Sequence, residues 1–421
     1  MKIYKSILLA SLLLMGNGYH SCYSAGDLPN EISNMDIDDI DIANIKIDDM
    51  EMDNNIIDSN KKKYYFHRKE DRSHLVLGVV RYPNVEKLDI SIYDNEFPFS
   101  VKKSFPNLKR MRIDGLNNIK FCDMPENLEE LHIDGSTISI NLITNFKKLK
   151  KLCISTIQNI ELCHVPENLE VLFIDNSNIS INLITDCKKL KTLSITGKQY
   201  DTMLAEILYN LPKSLEEFQL NHSSLSALPD DFSEILPNLM FLDIGGNSKL
   251  SCVLDSKIVG PYVQTIDLRG SKKIKIIDIK EKPLDPEYIT VIAGDVCQDF
   301  VYLPYGKFNG SINGEHINSM EDFAERFFVH SGSLEIYKPS KYLHAYYPDV
   351  NPEEGDFIIN ISEDGEYSFD LCDRTEEEDD FLTEAQNEAF VNMLNEARNL
   401  QKSIHENIRF KRLKAIVNAD S

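Results

Sequence analysis

Residues 125–155, PENLEELHIDGSTISINLITNFKKLKKLCIS, recur 41 residues later as PENLEVLFIDNSNISINLITDCKKLKTLSIT, with 22 of the 31 aligned positions identical. Each 41-residue unit divides again into two coils carrying the pattern L-x-x-L-x-I. The first apolar position of each coil is Val85, Leu108, Leu128, Leu149, Leu169, Leu190, Leu215, Leu239 and Val263, at spacings of 23, 20, 21, 20, 21, 25, 24 and 24 residues. A period of this length constrains the fold more than any other feature of the chain. One coil of 20–25 residues has too few apolar side chains to enclose its own core, so neighbours must stack. Positions 1, 4 and 6, as in Leu128, Leu131 and Ile133, point inward from a short strand, and a later residue such as Ile138 closes the coil. Parallel strands ~4.8 Å apart then give nine coils a length on the order of 40 Å.

The pattern over roughly 80–280 resembles that of leucine-rich-repeat proteins, and the 20-residue PENLEELHID and PENLEVLFID coils are similar to the short Pro-containing repeats of bacterial leucine-rich-repeat effectors. The resemblance implies an α/β solenoid, a curved stack of short parallel strands that binds another protein, a host protein among the candidates, on its concave side. The family's buried turn asparagine is matched by Asn247, with Ser136, Ser177, Ser223 and Ser271 at the equivalent sites. A serine hydroxyl there can still hydrogen-bond the backbone, giving a less regular ladder.

Residues 3, 5 and 7 of each coil alternate with the buried ones and face the concave side. That places Arg110, Arg112, His132, Lys151, Val171, Phe173, Gln219, Phe241 and Asp243 on one surface as candidate partner-binding residues. Its aromatic members among polar neighbours are the anchors a protein-recognition face uses. His132, Asp134 and Cys153 fall on adjacent strands, but an open sheet excludes little water and offers no oxyanion donors, which argues against Cys/His chemistry. A lysine band, Lys147, Lys148, Lys150, Lys151, Lys188, Lys189 and Lys191, reads as a solvated rim, with an acidic partner or anionic surface as the alternative.

Charge and cysteines narrow the class. The formal net charge is −23, and two stretches account for nearly all of it: 27–60 at −10 and 353–380 at −12. Such a chain is not built to bind nucleic acid. The eight cysteines include no CxxC pair, so neither a disulfide framework nor a zinc site is expected. Cys122 and Cys163 are equivalent positions two coils apart, ~10 Å, beyond disulfide reach. No glycine-rich phosphate loop, HExxH or GxSxG motif occurs, and no metal, cofactor or catalytic residue is assigned.

Lys2 and Lys5 precede an apolar run from Ile7 to Met15, the layout of a secretory signal ending after Ser24. An N-terminal anchor and lipidation of Cys22 are the alternatives. The chain is therefore expected to be exported, secreted or held at the cell surface, with no integral span after signal removal. An acidic leader of alternating Asp and Ile follows over 25–60, and the repeat domain with an N-terminal cap covers 61–283. The period is expected to end at Pro283 in an α+β capping module over 284–371. Its strands are expected at Tyr288–Ala293, Phe300–Leu303, Ser333–Tyr337, Phe357–Ile361 and Tyr367–Leu371, and Ser319 and Asp322 cap a helix reaching Phe328. Residues 372–421 read as an acidic turn and a long amphipathic helix with Phe390, Met393, Leu394, Ala397, Leu400, Ile404 and Ile408 on one face, capped from Thr375/Glu378 or Thr383/Gln386.

The functional expectation is a non-enzymatic, exported protein-interaction scaffold. One alternative is a ubiquitin-ligase-like effector using Cys372. In the bacterial leucine-rich-repeat ligases the cysteine sits in a Cys-x-Asp motif, whereas here Asp373 is adjacent and its acidic surroundings oppose thiolate formation. The other alternative is a structural protein of the cell envelope.

Overall fold

In this computed structural model, residues 63–66 and 82–91 and most of 101–345, of 357–371 and of 385–403 are described, all within one compact unit, Asp58–Ser421. The strands are β1 Lys63–Phe66, β2 Lys87–Ser91, β3 Arg110–Asp114, β4 Asn117–Ile119, β5 Glu130–Asp134, β6 Thr137–Ile138, β7 Lys151–Ser155, β8 Val171–Asp175, β9 Thr192–Thr196 and β10 Glu217–Asn221. They continue as β11 Phe241–Asp243, β12 Val253–Asp255, β13 Thr265–Asp267, β14 Ile276–Asp278, β15 Ile289–Gln298, β16 Phe300–Asn313, β17 Phe327–Tyr337, β18 Phe357–Ile361 and β19 Tyr367–Leu371.

The main ladder runs β1–β2–β3–β5–β7–β8–β9–β10–β11–β13–β15–β16–β17, every pair parallel. From β2 to β10 the register is in step with the repeat: Leu88, Met111, Leu131, Leu152, Leu172, Leu193 and Phe218 lie side by side. These residues, and Ile90, Ile113, Ile133, Ile154, Ile174, Ile195 and Leu220 two places on, are at most 1 % exposed. The first apolar position of each coil, Val85 through Val263, is buried as well. The chain is thus a leucine-rich-repeat solenoid, its core a set of continuous apolar rows. β1 joins as a further parallel strand ahead of the first legible coil, and β4 and β6 form a separate parallel pair that matches Ile119 with Ile138.

Three polar devices tie one coil to the next. At the turn, Ser177, Ser223, Asn247 and Ser271 are all buried. Asn247 donates from Nδ2 to the Leu220 and Ile244 carbonyls at 2.6 and 2.8 Å, and its Oδ1 accepts from the Ser223 N–H and hydroxyl at 2.9 and 2.6 Å. The Ser271 hydroxyl accepts from the Asn247 N–H at 3.0 Å and donates to the Ile244 carbonyl at 2.7 Å. Serine can therefore replace asparagine, as expected, though with fewer bonds.

At the strand ends, Gly115, Gly135, Thr156, Asn176, Gly197, His222, Gly246, Gly270 and Gly294 all take positive φ, between 45° and 119°. From Gly115 to Gly246 the N–H at this bend reaches the next coil, as in Thr156 to the Asp175 carbonyl at 2.9 Å and Gly246 to the Arg269 carbonyl at 2.7 Å. On the flank before the strands, Asn107, Asn168 and Asn238 donate to the Pro83, Lys147 and Lys213 carbonyls at 2.9, 2.7 and 3.0 Å. Lys148 and Lys189 occupy the same position in the alternate coils and donate to the Oδ1 atoms of Asn127 and Asn168 at 2.7 and 2.6 Å.

At residue 284 the strands lengthen but remain parallel. A second ladder, β12–β14–β16, runs on the outer side of the coils, and Phe300–Tyr302 of β16 and Phe327–Val329 of β17 belong to it. The remaining parts of β16 and β17 bend into the main ladder through a register shift between Leu303 and Lys307. One long strand therefore serves both sides of a coil, which explains why L-x-x-L-x-I disappears from the sequence while parallel stacking persists to Tyr337. Pairing reverses only at β18 and β19, the expected hairpin, where the Ser362 N–H donates to the Glu366 carbonyl at 2.9 Å.

Ser319 caps a helix by accepting from the Asp322 N–H at 3.1 Å. That helix, Met320–Arg326, stops short of Phe328 because Phe327 and Phe328 already pair in β17. The helix at 388–403 closes the stack with Phe390, Met393, Leu394 and Ala397, each at most 2 % exposed. Phe390 meets Phe357 edge-on at 6.3 Å. The Gln401 amide donates to the Ala324 carbonyl at 3.0 Å and to the Phe327 carbonyl. Leu400 is half-buried, and Gln401 takes the buried place after Ala397. The signal, the acidic leader, Ser136, Cys122, Cys163, Cys372, the candidate caps Thr375, Glu378, Thr383 and Gln386, and Ile404 and Ile408 lie outside the described residues.

Candidate functional site: the open strand face

The alternation that buries positions 4 and 6 sends positions 3, 5 and 7 to the opposite side of the main ladder. All nine candidate residues stand on this face: Arg110 and Arg112 exposed, and His132, Lys151, Val171, Phe173, Gln219, Phe241 and Asp243 half-buried by their neighbours. Register places Arg112, His132, Cys153, Phe173, Ser194, Gln219 and Asp243 in one row across seven strands. A second row carries Arg110, Glu130, Lys151, Val171, Thr192, Glu217 and Phe241.

Neighbouring strands hold many of these side chains in place. Arg110 pairs with Glu130 at 2.8 Å, and Lys151 lies over the Phe173 ring at 5.3 Å. The Ser194 hydroxyl donates to Gln219 Oε1 at 2.9 Å, and Asn221 Nδ2 donates to Asp243 Oδ2 at 2.8 Å. Such cross-strand contacts fix rotamers before a partner arrives, which lowers the ordering cost of binding.

Cys153 Sγ lies 3.8 Å from His132 Nε2. Desolvation pushes the thiol up to about 11. Desolvation, helped by Lys151 and Arg112, pushes the imidazole below its ordinary value. Both groups are held neutral, the opposite of the thiolate–imidazolium pair that Cys/His catalysis uses. Among the described residues no three His, Cys, Asp or Glu side chains converge as metal ligands, and no helix is long and apolar enough to cross a membrane.

The lysine band is largely spent on neighbours: Lys150 pairs with Glu170 at 3.4 Å and Lys191 with Glu216 at 2.8 Å. Sequence reasoning missed the flank beyond it. The position that holds Asn107, Asn127, Lys148, Asn168, Lys189, Ser214 and Asn238 becomes Tyr262 in the next coil. Exposure there is high: Met240 37 %, Tyr262 42 %, Leu284 74 % and Tyr288 41 %. The replacement of Asn by Tyr at a fixed repeat position was visible in the sequence once the coils were aligned.

No family model and no curated protein sequence matches the chain. Solved structures similar to it include leucine-rich-repeat proteins. The APL1 leucine-rich repeat domain is 14% identical, with a TM-score of 0.34 over 60% of this chain and 68% of that one. A leucine-rich-repeat protein of Leptospira interrogans is 15% identical, with a TM-score of 0.37 over 68% of this chain and 82% of that one. TLR13, in its complex with ssRNA13, is 16% identical, with a TM-score of 0.32 over 55% of this chain and 44% of that one. The strand pairings and buried rows establish the architecture without them: this chain folds as a leucine-rich-repeat solenoid with an open strand face.

Proposed function

We propose that the chain is an exported, non-enzymatic scaffold that docks another protein, a host protein if the likeness to effector repeats extends to use, on its open strand face. The observation that carries this reading is the half-exposed row through Arg112, His132, Cys153 and Phe173, set in register on rigid parallel strands. Aromatic and arginine side chains on a preorganised surface are the groups that dominate protein–protein affinity. The neutral Cys153 and His132 add polar surface rather than a nucleophile. Export rests on the layout of residues 1–24.

The test is capture by the immobilised full chain from extracts of the source cells and of any host, repeated with Phe173→Asp. The reading expects one protein retained by the parent chain and lost with Phe173→Asp while far-UV circular dichroism is unchanged. Retention by both proteins, or by neither, contradicts it.

A further inference from the structure

The coils that contain β10 and β11 differ in charge from those before them. Residues 209–245 carry Glu216, Glu217, Asp230, Asp231, Glu234 and Asp243 against the single base Lys213. Glu216 is matched by Lys191, whereas exposed Glu217 accepts the Thr192 hydroxyl at 3.2 Å. Asp243, half-buried on the same face, accepts from the Asn221 amide at 2.8 Å and from the Gly245 N–H at 3.0 Å. The neighbouring cation, Arg269, is held by Asp267 of its own coil at 2.5 and 3.0 Å. Two carboxylates, Glu217 and Asp243, therefore stand on the open face of adjacent strands, two register places apart.

An apolar surface continues from the same place. Phe241 is followed back along the chain by exposed Met240, whose carbonyl accepts from the Gln264 N–H at 2.7 Å. Tyr262 precedes Val263 in that next coil. The Leu284 N–H donates to the Pro261 carbonyl at 3.0 Å, so Leu284 borders exposed Pro261 and Tyr262. Tyr288 stacks on His330 at 5.2 Å and ends the strip. In the coils before Tyr262, the same flank is occupied by the Asn and Lys side chains that bond from coil to coil.

We infer that the partner's docking segment is basic and apolar in turn: an arginine or lysine seated on Asp243 and Glu217, followed by apolar or aromatic residues crossing Phe241 onto Met240, Tyr262 and Leu284. This deepens the scaffold reading and rests on it, since it assigns the partner's chemistry and extends the contact to the C-terminal half of the face. Charge complementarity selects the cationic end. The tyrosine, methionine and leucine flank, apolar but tipped with hydroxyls, suits the adjoining segment.

The probe is a fluorescein-labelled peptide with two arginines followed by Leu, Pro and Tyr, its binding to the full chain read by anisotropy at low salt and at ~0.5 M salt. A matched peptide with both arginines replaced by glutamate is the control. The expected result is salt-weakened binding of the basic peptide, about tenfold weaker with Glu217→Lys and about tenfold weaker with Leu284→Ser plus Tyr262→Ser. Val253→Ser, on the outer ladder, should change it by less than about twofold, equivalent to ~0.4 kcal/mol. Equal binding of the acidic peptide, no binding of the basic one, or a loss with Val253→Ser as large as with Glu217→Lys overturns the assignment. Protein capture that depends on Phe173 but ignores Glu217 and Leu284 would overturn this inference alone and leave the scaffold reading standing.

Discussion

Replacing Asn247 by alanine removes one side chain that holds two coils together. Asn247 is fully buried. Its loss takes the amide donor from the Leu220 carbonyl and the acceptor from both the N–H and the hydroxyl of Ser223. The Ile244 carbonyl keeps the Ser271 hydroxyl. Three buried groups are thus orphaned, at about 1–3 kcal/mol each before relaxation. Some of that is recovered if water enters, so a net loss of about 3–5 kcal/mol is expected. The control is Asn238→Ala, which breaks one exposed bond to the Lys213 carbonyl and should cost about 0.5–1.5 kcal/mol. Urea unfolding followed by circular dichroism gives both values. Hydrogen exchange adds the location: in a stack where each coil touches only its neighbours, the Ser223, Leu225 and Asn247 amides should exchange faster while those of β2 to β5 do not. If Asn247→Ala costs no more than Asn238→Ala, the buried asparagine–serine ladder is not what joins these coils.

Other substitutions separate the remaining terms. Gly270→Ala puts a Cβ on a residue at φ +77°, 3.3 Å from the Gly246 backbone, and should lower stability by about 1–2 kcal/mol in the same urea assay. Leu172→Ala empties a fully buried site in the middle of the apolar row and should cost about 2.7–5 kcal/mol. Cys153, at about 11 in place of 9.0, has ~100-fold less thiolate near pH 8. The greater nucleophilicity of a high-pKa thiolate returns roughly an order of magnitude, so iodoacetamide should modify it about tenfold slower than a free thiol, timed by mass spectrometry. His132 has a lowered pKa in the fold, so its neutral form is favoured: its contribution is complete above the unfolded value near 6.5 and is lost as pH falls through the folded one. His132→Gln should therefore reduce the drop in Tm between pH 7.5 and pH 5.

The repeat made the stack legible because burial writes itself into the sequence twice per coil, as in Leu131 and Ile133 or Leu172 and Ile174. It also placed the nine face residues, since alternation leaves positions 3, 5 and 7 no other side. What it left obscure has a physical reason in each case. The outer ladder uses three-residue strands, Val253–Asp255 and Ile276–Asp278, too short to show a period. β16 and β17 each serve two ladders and need no repeated leucine spacing. The positive-φ position tolerates Thr156, Asn176 and His222 beside the glycines, so no single residue type marks it. The turn that frees Tyr262, Leu284 and Tyr288 follows from the loss of the Asn–Lys flank bonds, which a reading focused on buried positions passes over.

The claim that the open strand face is the docking surface is tested most directly by site-specific photocrosslinking from inside that surface. A photoreactive phenylalanine analogue placed at Phe173 or Phe241, and separately at Val253 and Ile276 on the outer ladder, is illuminated in cells that make the protein. The account predicts one shared adduct from Phe173 and Phe241 and none from Val253 or Ile276; adducts confined to the outer positions would contradict it.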